Sequence, residues 1–517
     1  MTCPRGFSSP GWRYRLLWGL KGRIRGDLTT VTFSLFGRTS LRVLIASLSC
    51  IVAAPTAAFA AGAGAPHLDG GTLGLIWVVP FAGILLSIAI FPLVAPHFWH
   101  SHFGKVSAVW ALAFLIPFTL VQGYELALFE LLHVGFLEYL PFIILLLSLF
   151  TVAGGVRVTG TLKGTPAVNT LILLIGTLIA SWMGTTGAAM LLIRPILNAN
   201  AERKNKVHVV VFFIFLVANV GGSLTPLGDP PLFLGFLKGV DFFWPTTNMF
   251  LPMVLVSSFL LVLFFAVDSF LHKREGGLEA PAEAVSEGGE PQEKLGLDGK
   301  INILLLGGVI GAVLLSGIWK PGIDFTIFHV HIELQNIARD VLLLAIAGLS
   351  LIVTSKENRD ANGFSWFPIV EVAKLFAAIF ITIVPAIAIL KAGTDGAMGI
   401  IVSSVSNEAG EPLNVMYFWA TGILSSFLDN APTYLVFFNT AGGDAVNLMG
   451  PRADTLLAIS AGAVFMGANT YIGNAPNFMV RAIAEERGVA MPSFFGYMAW
   501  SCVILMPIFV VVSFVFF

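Results

Sequence analysis

Two aspartates stand in strongly apolar surroundings in this 517-residue chain. Asp229 lies in Gly221-Gly222-Ser223-Leu224-Thr225-Pro226-Leu227-Gly228-Asp229-Pro230-Pro231, and Asp429 opens Asp429-Asn430-Ala431-Pro432-Thr433. A charged aspartate at the centre of a membrane helix costs about 2.5–3.5 kcal/mol on insertion scales, so such a residue usually faces a cavity and has work there. The surrounding blocks offer hydroxyls and amides: Thr185, Thr186, Ser223, Thr225, Ser425, Ser426, Asn430, Thr433, Asn469, Thr470, Asn474 and Asn477. Thiolates are absent from this set and imidazoles are few. Hard cations take oxygen ligands, so Na⁺ suits these residues better than any transition metal. Capping of a re-formed half-helix is the other role open to either aspartate, and Asp-Pro-Pro suits it.

The elements that must hold these residues are broken helices. Val207 to Val220 leads in with only His208 and Asn219 as polar side chains, Leu232 to Leu237 leads out, and Gly228, Pro230 and Pro231 interrupt the run. A helix opened at membrane depth leaves backbone groups unpaired, which is tolerated only against protein or a water-filled cavity, and transporters build binding sites this way. A second interruption, Gly473-Asn474-Ala475-Pro476-Asn477-Phe478, falls inside Leu456 to Ala484. Each block has an asparagine upstream (Asn219, Asn469) and Gly-Val downstream.

Composition sets the class. Apolar residues make up 56% of the chain and charged residues only 11%, with a mean hydropathy of +0.86. A soluble chain carries about 25% charged residues, so this one is read as an all-α polytopic membrane protein. A net charge of −1 gives no reason to expect nucleic-acid binding. Cys3, Cys50 and Cys502 are far apart, and no cofactor is called for.

Residues 1–60 read as a secretory signal with an arginine-rich lead, the apolar run Val43 to Ala54 and an Ala58-Phe59-Ala60 cleavage site. Removal would start the chain outside the inner (plasma) membrane near Ala61; an uncleaved first span is the alternative. Residues 61–271 form a first half, with spans near 74–95, 106–122, 138–155 and 248–271. His97, His100, His102 and Lys105 read as an interfacial turn, and Glu125, Glu130, His133 and Glu138 as the edge of the outer surface. A re-entrant hairpin over about 168–200, with its tip at Thr185 and Thr186, precedes the broken helix at about 207–237. Residues 272–300 are a polar, cytoplasmic linker. Residues 301–517 repeat the plan: spans near 300–318, 339–354, 366–391 and 493–517, a hairpin over about 415–440 with Ser426 and Thr433 at its tip, and a broken helix at about 455–484 carrying Gly473 and Pro476. Glu371 and Lys374 are spaced for a local ion pair. Five basic residues flank the first hairpin, whereas Gly393 to Asn414 has none, so the positive-inside rule turns the two halves over relative to each other.

The Gly-Ser-Leu-Thr-Pro-Leu-Gly-Asp-Pro-Pro block, the Ser-Phe-Leu-Asp-Asn-Ala-Pro-Thr tip and the Gly-Asn-Ala-Pro-Asn block resemble the ion transporter superfamily, closest to NhaD-type sodium/proton antiporters and related to arsenite permeases and citrate or dicarboxylate carriers. The resemblance covers roughly residues 75–517. It implies two inverted repeats, each with a re-entrant hairpin and a discontinuous helix, in a homodimer with an elevator-like transport domain. It also implies a cation- and proton-binding role for Asp229 and Asp429, with Thr225 and Asn469 assisting; Asn430 and Asn474, among the amides the sequence offers, are read as part of the same site.

Dicarboxylate carriers place Ser-Asn-Thr at each hairpin tip, where this chain has Gly184-Thr185-Thr186 and Asp429-Asn430-Ala431. An ionised Asp429 about 4 Å from a substrate carboxylate would repel it by about 4 kcal/mol at an effective dielectric near 20. A cation carrier gains from the same group, because one carboxylate holds either Na⁺ or a proton. The expected function is exchange of Na⁺ or Li⁺ for H⁺, with a Na⁺-coupled citrate or dicarboxylate carrier as the alternative. An intramembrane aspartyl protease needs glycine where Pro226 stands, and a membrane scaffold has no use for paired helix breaks.

Overall fold

The computed structural model describes residues 66–276 and 294–517. The expected signal segment lies outside them. The described chain is almost wholly helical, with nine helices long and apolar enough to cross a membrane, or ten if a bent pair is one span. The bent pair is Phe367–Thr382 and Val384–Lys391, angled by 41°. It occupies the single span expected at 366–391, and Pro385 opens its second half.

Depth in the protein sorts these helices. Pro96–Gln122 and Leu334–Val353 bury 22% of their most apolar window, so their Leu, Ile, Val and Phe side chains face outward, as contact with lipid tails requires. Val207–Leu224 buries 94% of its own and passes through the centre of the molecule. The broken elements therefore form the core, and the long unbroken helices surround it.

The first hairpin consists of Pro166–Met183 and Thr185–Ala199, turning at Gly184. Gly184 has φ 81° and ψ 146°, a conformation that side chains bearing a Cβ rarely adopt, which is why a glycine occupies the turn. The first broken helix runs Val207–Leu216, passes through a 3₁₀ turn at Val220–Leu224, and resumes at Pro230–Leu237. In the second half, Asn414–Phe427 and Asn430–Thr440 turn at Leu428-Asp429, and Ala453–Met466, Gly467–Asn469 and Ala475–Glu486 make the second broken element.

Several expectations are corrected. The histidines at 97–102 sit inside Pro96–Gln122 rather than in a turn; His102 stacks on Phe98 at 4.9 Å and His100 packs on Phe367 at 4.7 Å. Glu125, Glu130, His133 and Glu138 belong to a continuous helix, Tyr124–Ala153, with a π-helical turn at Gly135–Tyr139, so the span expected at 138–155 starts earlier. Glu138 is buried and pairs with Lys238 at 2.5 Å, which is what allows the charge inside. Lys374 does not pair with Glu371 but lies over the Phe103 ring, 5.4 Å from its centroid. The polar segment after Arg274 is not all linker, since Gly296–Asp298 forms a strand antiparallel to Arg157–Thr159.

Candidate functional site

The two breaks are closed against the two hairpins by the same hydrogen bonds. At the first, Ser181 Oγ donates to the Gly221 carbonyl at 2.6 Å, Thr225 Oγ1 donates to the Ser181 carbonyl, and Leu227 N donates back to Thr225 Oγ1 at 3.2 Å. At the second, Ser426 Oγ donates to the Met466 carbonyl at 3.1 Å, Thr470 Oγ1 to the Ser426 carbonyl at 2.5 Å, and Ile472 N to Thr470 Oγ1 at 3.2 Å. Each residue of the second set stands 245 positions after its counterpart, the separation that also relates Asp229 to Asn474. These side chains take the place of the helical bonds that glycine and proline remove. At that separation Leu224, not Asn219, stands opposite Asn469.

Close backbone crossing explains the glycines. A Cβ on Gly228 would lie 2.1 Å from the Gly222 carbonyl oxygen, and one on Gly473 would lie 2.6 Å from the Gly467 oxygen. No side chain fits at either place.

Asp229 follows the first crossing. Its side chain is 1% exposed and does not cap the following half-helix. Instead Oδ1 accepts from Asn474 Nδ2 at 2.9 Å and from Thr185 Oγ1 at 3.3 Å, while Oδ2 accepts from Asn430 Nδ2 at 2.5 Å. One carboxylate thus gathers the first hairpin tip, the second hairpin tip and the second break. Asn474 also reaches Asn219 Oδ1 at 3.2 Å, and Asn219 donates to Asn477 Oδ1 at 2.7 Å, tying the two breaks together. The amide oxygens of Asn430 and Asn469 are buried without a hydrogen-bond partner among the described residues. A buried oxygen with no donor is costly, and it is a ready ligand for a hard cation.

A cavity of about 100 Å³ opens on this arrangement, with both Asp229 and Asp429 in its wall. Thr185, Thr186, Gly228, Asn474 and the amino-terminal residues of both re-formed half-helices, Pro230, Ala475 and Pro476, line it as well. Phe142, Phe233 and Phe376 make up part of the apolar remainder. No lysine, arginine or histidine lines it among the described residues. Asp429, half-buried, is the aspartate that caps a helix, accepting from Ala431 N at 3.1 Å.

Comparison with known proteins then places the chain. Residues 70–517 match a family described as "Putative citrate transport". The chain belongs to that family. No curated protein matches it. Family membership and the helical fold together make it a multi-pass membrane transporter.

The remaining expected residues fall around the cavity without lining it. Thr225 is spent on closing the first break. Asn469 donates to Ser426 Oγ at 2.9 Å, and Ser426 in turn bonds to Gly422 O and Met466 O. Thr433 donates to the Asp429 carbonyl at 3.0 Å, and Pro231 follows Pro230 in the first turn of its half-helix. Sequence reasoning missed Ser181, whose only signal is its spacing before Gly184, equal to that of Ser426 before Asp429.

It also missed a buried charge cluster away from the cavity. Asp268 pairs with Arg203 at 2.5 Å and with His208 at 2.8 Å, and accepts from Asn169 at 2.9 Å. An aspartate inside the apolar run 248–271 was the available signal.

Proposed function

We propose that this transporter exchanges Na⁺, or Li⁺, for H⁺ by competition at Asp229 and Asp429. The observation that carries the reading is the shared cavity: two carboxylates from distant parts of the chain face one small space with no basic side chain in its wall among the described residues. Two like charges brought together out of water repel, and a bound cation or proton relieves that repulsion. The unpartnered Asn430 Oδ1, on the residue that bonds Asp229, adds an oxygen for a cation and has no use for an anion.

The proposal includes two inverted repeats with re-entrant hairpins. Two contacts support opposite directions for the broken helices. Arg487, after the end of the second, bonds Asn198 at the base of the first hairpin at 2.7 Å, and Asp241, after the end of the first, donates its N–H to Met449 sulfur beyond the second hairpin at 3.1 Å. Each broken helix also starts shortly after the hairpin of its own half ends, at Val207 and Ala453. A homodimer with a moving transport domain is part of the same reading.

A second reading is favoured by the family description: a Na⁺-coupled citrate or dicarboxylate carrier. The half-helix amino ends at Pro230 and Ala475 reach the cavity, and such ends attract carboxylates. The substrate would then have to enter with its charge offset by cations at the aspartates.

Everted vesicles with a pH-sensitive dye separate the two. Na⁺ added to vesicles of the wild-type chain is expected to dequench the dye, and Asp429→Asn to abolish the response; full activity in that variant would end the proposal. Counterflow of labelled citrate without Na⁺-driven proton movement would establish the second reading.

A further inference from the structure

We propose that a second site, distinct from the aspartate cavity, binds a compact polyanion carrying phosphate or carboxylate groups. A cavity of about 750 Å³ is lined by Arg157, Arg194 and Arg487, together with Asn198 and Asn362. Arg157 lies on the strand beside Gly296–Asp298, Arg194 in the second helix of the first hairpin, and Arg487 directly after the second broken helix. Three separate elements thus bring guanidinium groups to one space.

None of the three arginines forms an ion pair among the described residues, although Arg203 nearby in the chain holds both Asp268 and Glu275. Arg487 donates to Asn198 Oδ1 at 2.7 Å, a neutral acceptor. Arg194 is more telling. Its Nη1 is buried with no hydrogen-bond partner among the described residues, while the rest of the guanidinium packs against Gly363, where a Cβ would lie 2.2 Å from Nη2. Glu486 is near enough to act on Arg194 electrostatically, and Arg487 opposes it.

A cluster of like charges around a roomy cavity is unfavourable unless an anion offsets it. Guanidinium forks recognise phosphate and carboxylate in pairs of parallel hydrogen bonds, and the volume suits a ligand with at least two such groups. Arg487 and Asn198 are solvent-exposed, so the site is reachable. Either a soluble polyanion or the paired phosphodiesters of a diphosphatidyl lipid such as cardiolipin presents this chemistry. Because the arginines come from a strand, a hairpin and a broken helix, an occupant ties the three together. The inference rests on the arginines alone and holds whichever ion crosses the membrane.

The test uses the full chain in a neutral detergent, titrated with pyrophosphate and followed by calorimetry and by thermal unfolding. Saturable binding is expected, with Arg194→Gln, Arg157→Gln and Arg487→Gln each weakening it about tenfold, the effect of losing a charge-assisted hydrogen bond. Arg487 is exposed, so its variant folds even if the Arg194 variant does not. Competition by micelles doped with cardiolipin, but not with phosphatidylcholine, would identify the occupant as a lipid headgroup; pyrophosphate binding without that competition would identify a soluble anion. The inference is overturned if neither probe binds saturably, or if the Arg157 and Arg487 variants bind as the wild type does.

Discussion

Replacing Asp229 by asparagine separates its charge from its hydrogen bonds. The side chain keeps its shape, and Oδ1 continues to accept from Asn474 and Thr185. The other atom becomes an amide nitrogen facing Asn430 Nδ2, donor against donor. Asn430 can resolve the clash by turning its amide over, because its own oxygen is buried and free of partners. All three charge-assisted hydrogen bonds become neutral ones, which is partly offset by removing a charge from the buried site, leaving a folding cost of about 1–2 kcal/mol. The loss to a bound cation is larger. A unit charge about 4 Å away contributes about 4 kcal/mol at an effective dielectric near 20, or roughly a thousandfold in affinity. Purified protein unfolded thermally over a series of Na⁺ concentrations reads both quantities, since a ligand that binds only the native state raises the unfolding temperature. In Na⁺-free buffer Asp229→Asn should unfold within a few degrees of the wild type, while the Na⁺ concentration needed to raise its unfolding temperature should increase about a thousandfold. A shift of less than tenfold in a variant that is otherwise folded would refute the assignment of the cation to Asp229.

Other outcomes follow from the backbone crossing and from the polar end of the core. Gly228→Ala places a methyl group 2.1 Å from the Gly222 carbonyl oxygen, and neither backbone can yield; the cost should exceed the usual 1–3 kcal/mol of overpacking. Gly184→Ala meets nothing nearer than 3.4 Å and bears only the strain of its positive φ, about 1–3 kcal/mol. Fluorescence-detected size exclusion after graded heating should therefore rank Gly228→Ala well below Gly184→Ala, and equal survival would argue against a rigid crossing. Burial alone would raise the pKa of Glu275, but hydrogen bonds from Asn205 and Arg203 outweigh it and hold the carboxyl below its ordinary value of 4.5. A depressed folded pKa gives stability that is complete above the unfolded value and lost as pH falls through the folded one. Unfolding temperature should then fall more steeply below about pH 4.5 in the wild type than in Glu275→Gln, and parallel slopes would show that the pair contributes nothing.

The fold was legible where the backbone itself is at stake. Glycine and proline at Gly221-Gly222 and Gly228-Asp229-Pro230-Pro231 cannot continue a helix, and no tertiary contact changes that, so the break lies where the sequence put it. That Tyr124 to Tyr139 begins the third span was not legible, because its charges suggest a place outside the apolar run until the partner is known. Glu138 is neutralised by Lys238, 100 positions away, and spacing along the chain holds no trace of that pairing. Asp268 hid for a related reason, its partners Arg203 and His208 having read as a basic flank and a stray polar residue.

The two aspartates look alike in sequence, each preceding a helix start, yet they end in opposite roles, and the following residues decide which. A cap needs a backbone N–H within the first turn. After Asp229 the first two helical positions are Pro230 and Pro231, which have none, and Leu232 N is taken by the Asp229 carbonyl at 3.1 Å. Its carboxylate is left to side chains from elsewhere, and Asn474, Asn430 and Thr185 provide them. After Asp429 the first proline comes only at the third position, Pro432, so Ala431 N remains available and binds Oδ1. That bond occupies one lone pair of Asp429 and leaves its other oxygen without a donor among the described residues, whereas both oxygens of Asp229 are held by neutral donors that a cation can displace without leaving a buried charge unpaired. The proline pair is thus what frees Asp229 from its helix and turns it toward the cavity.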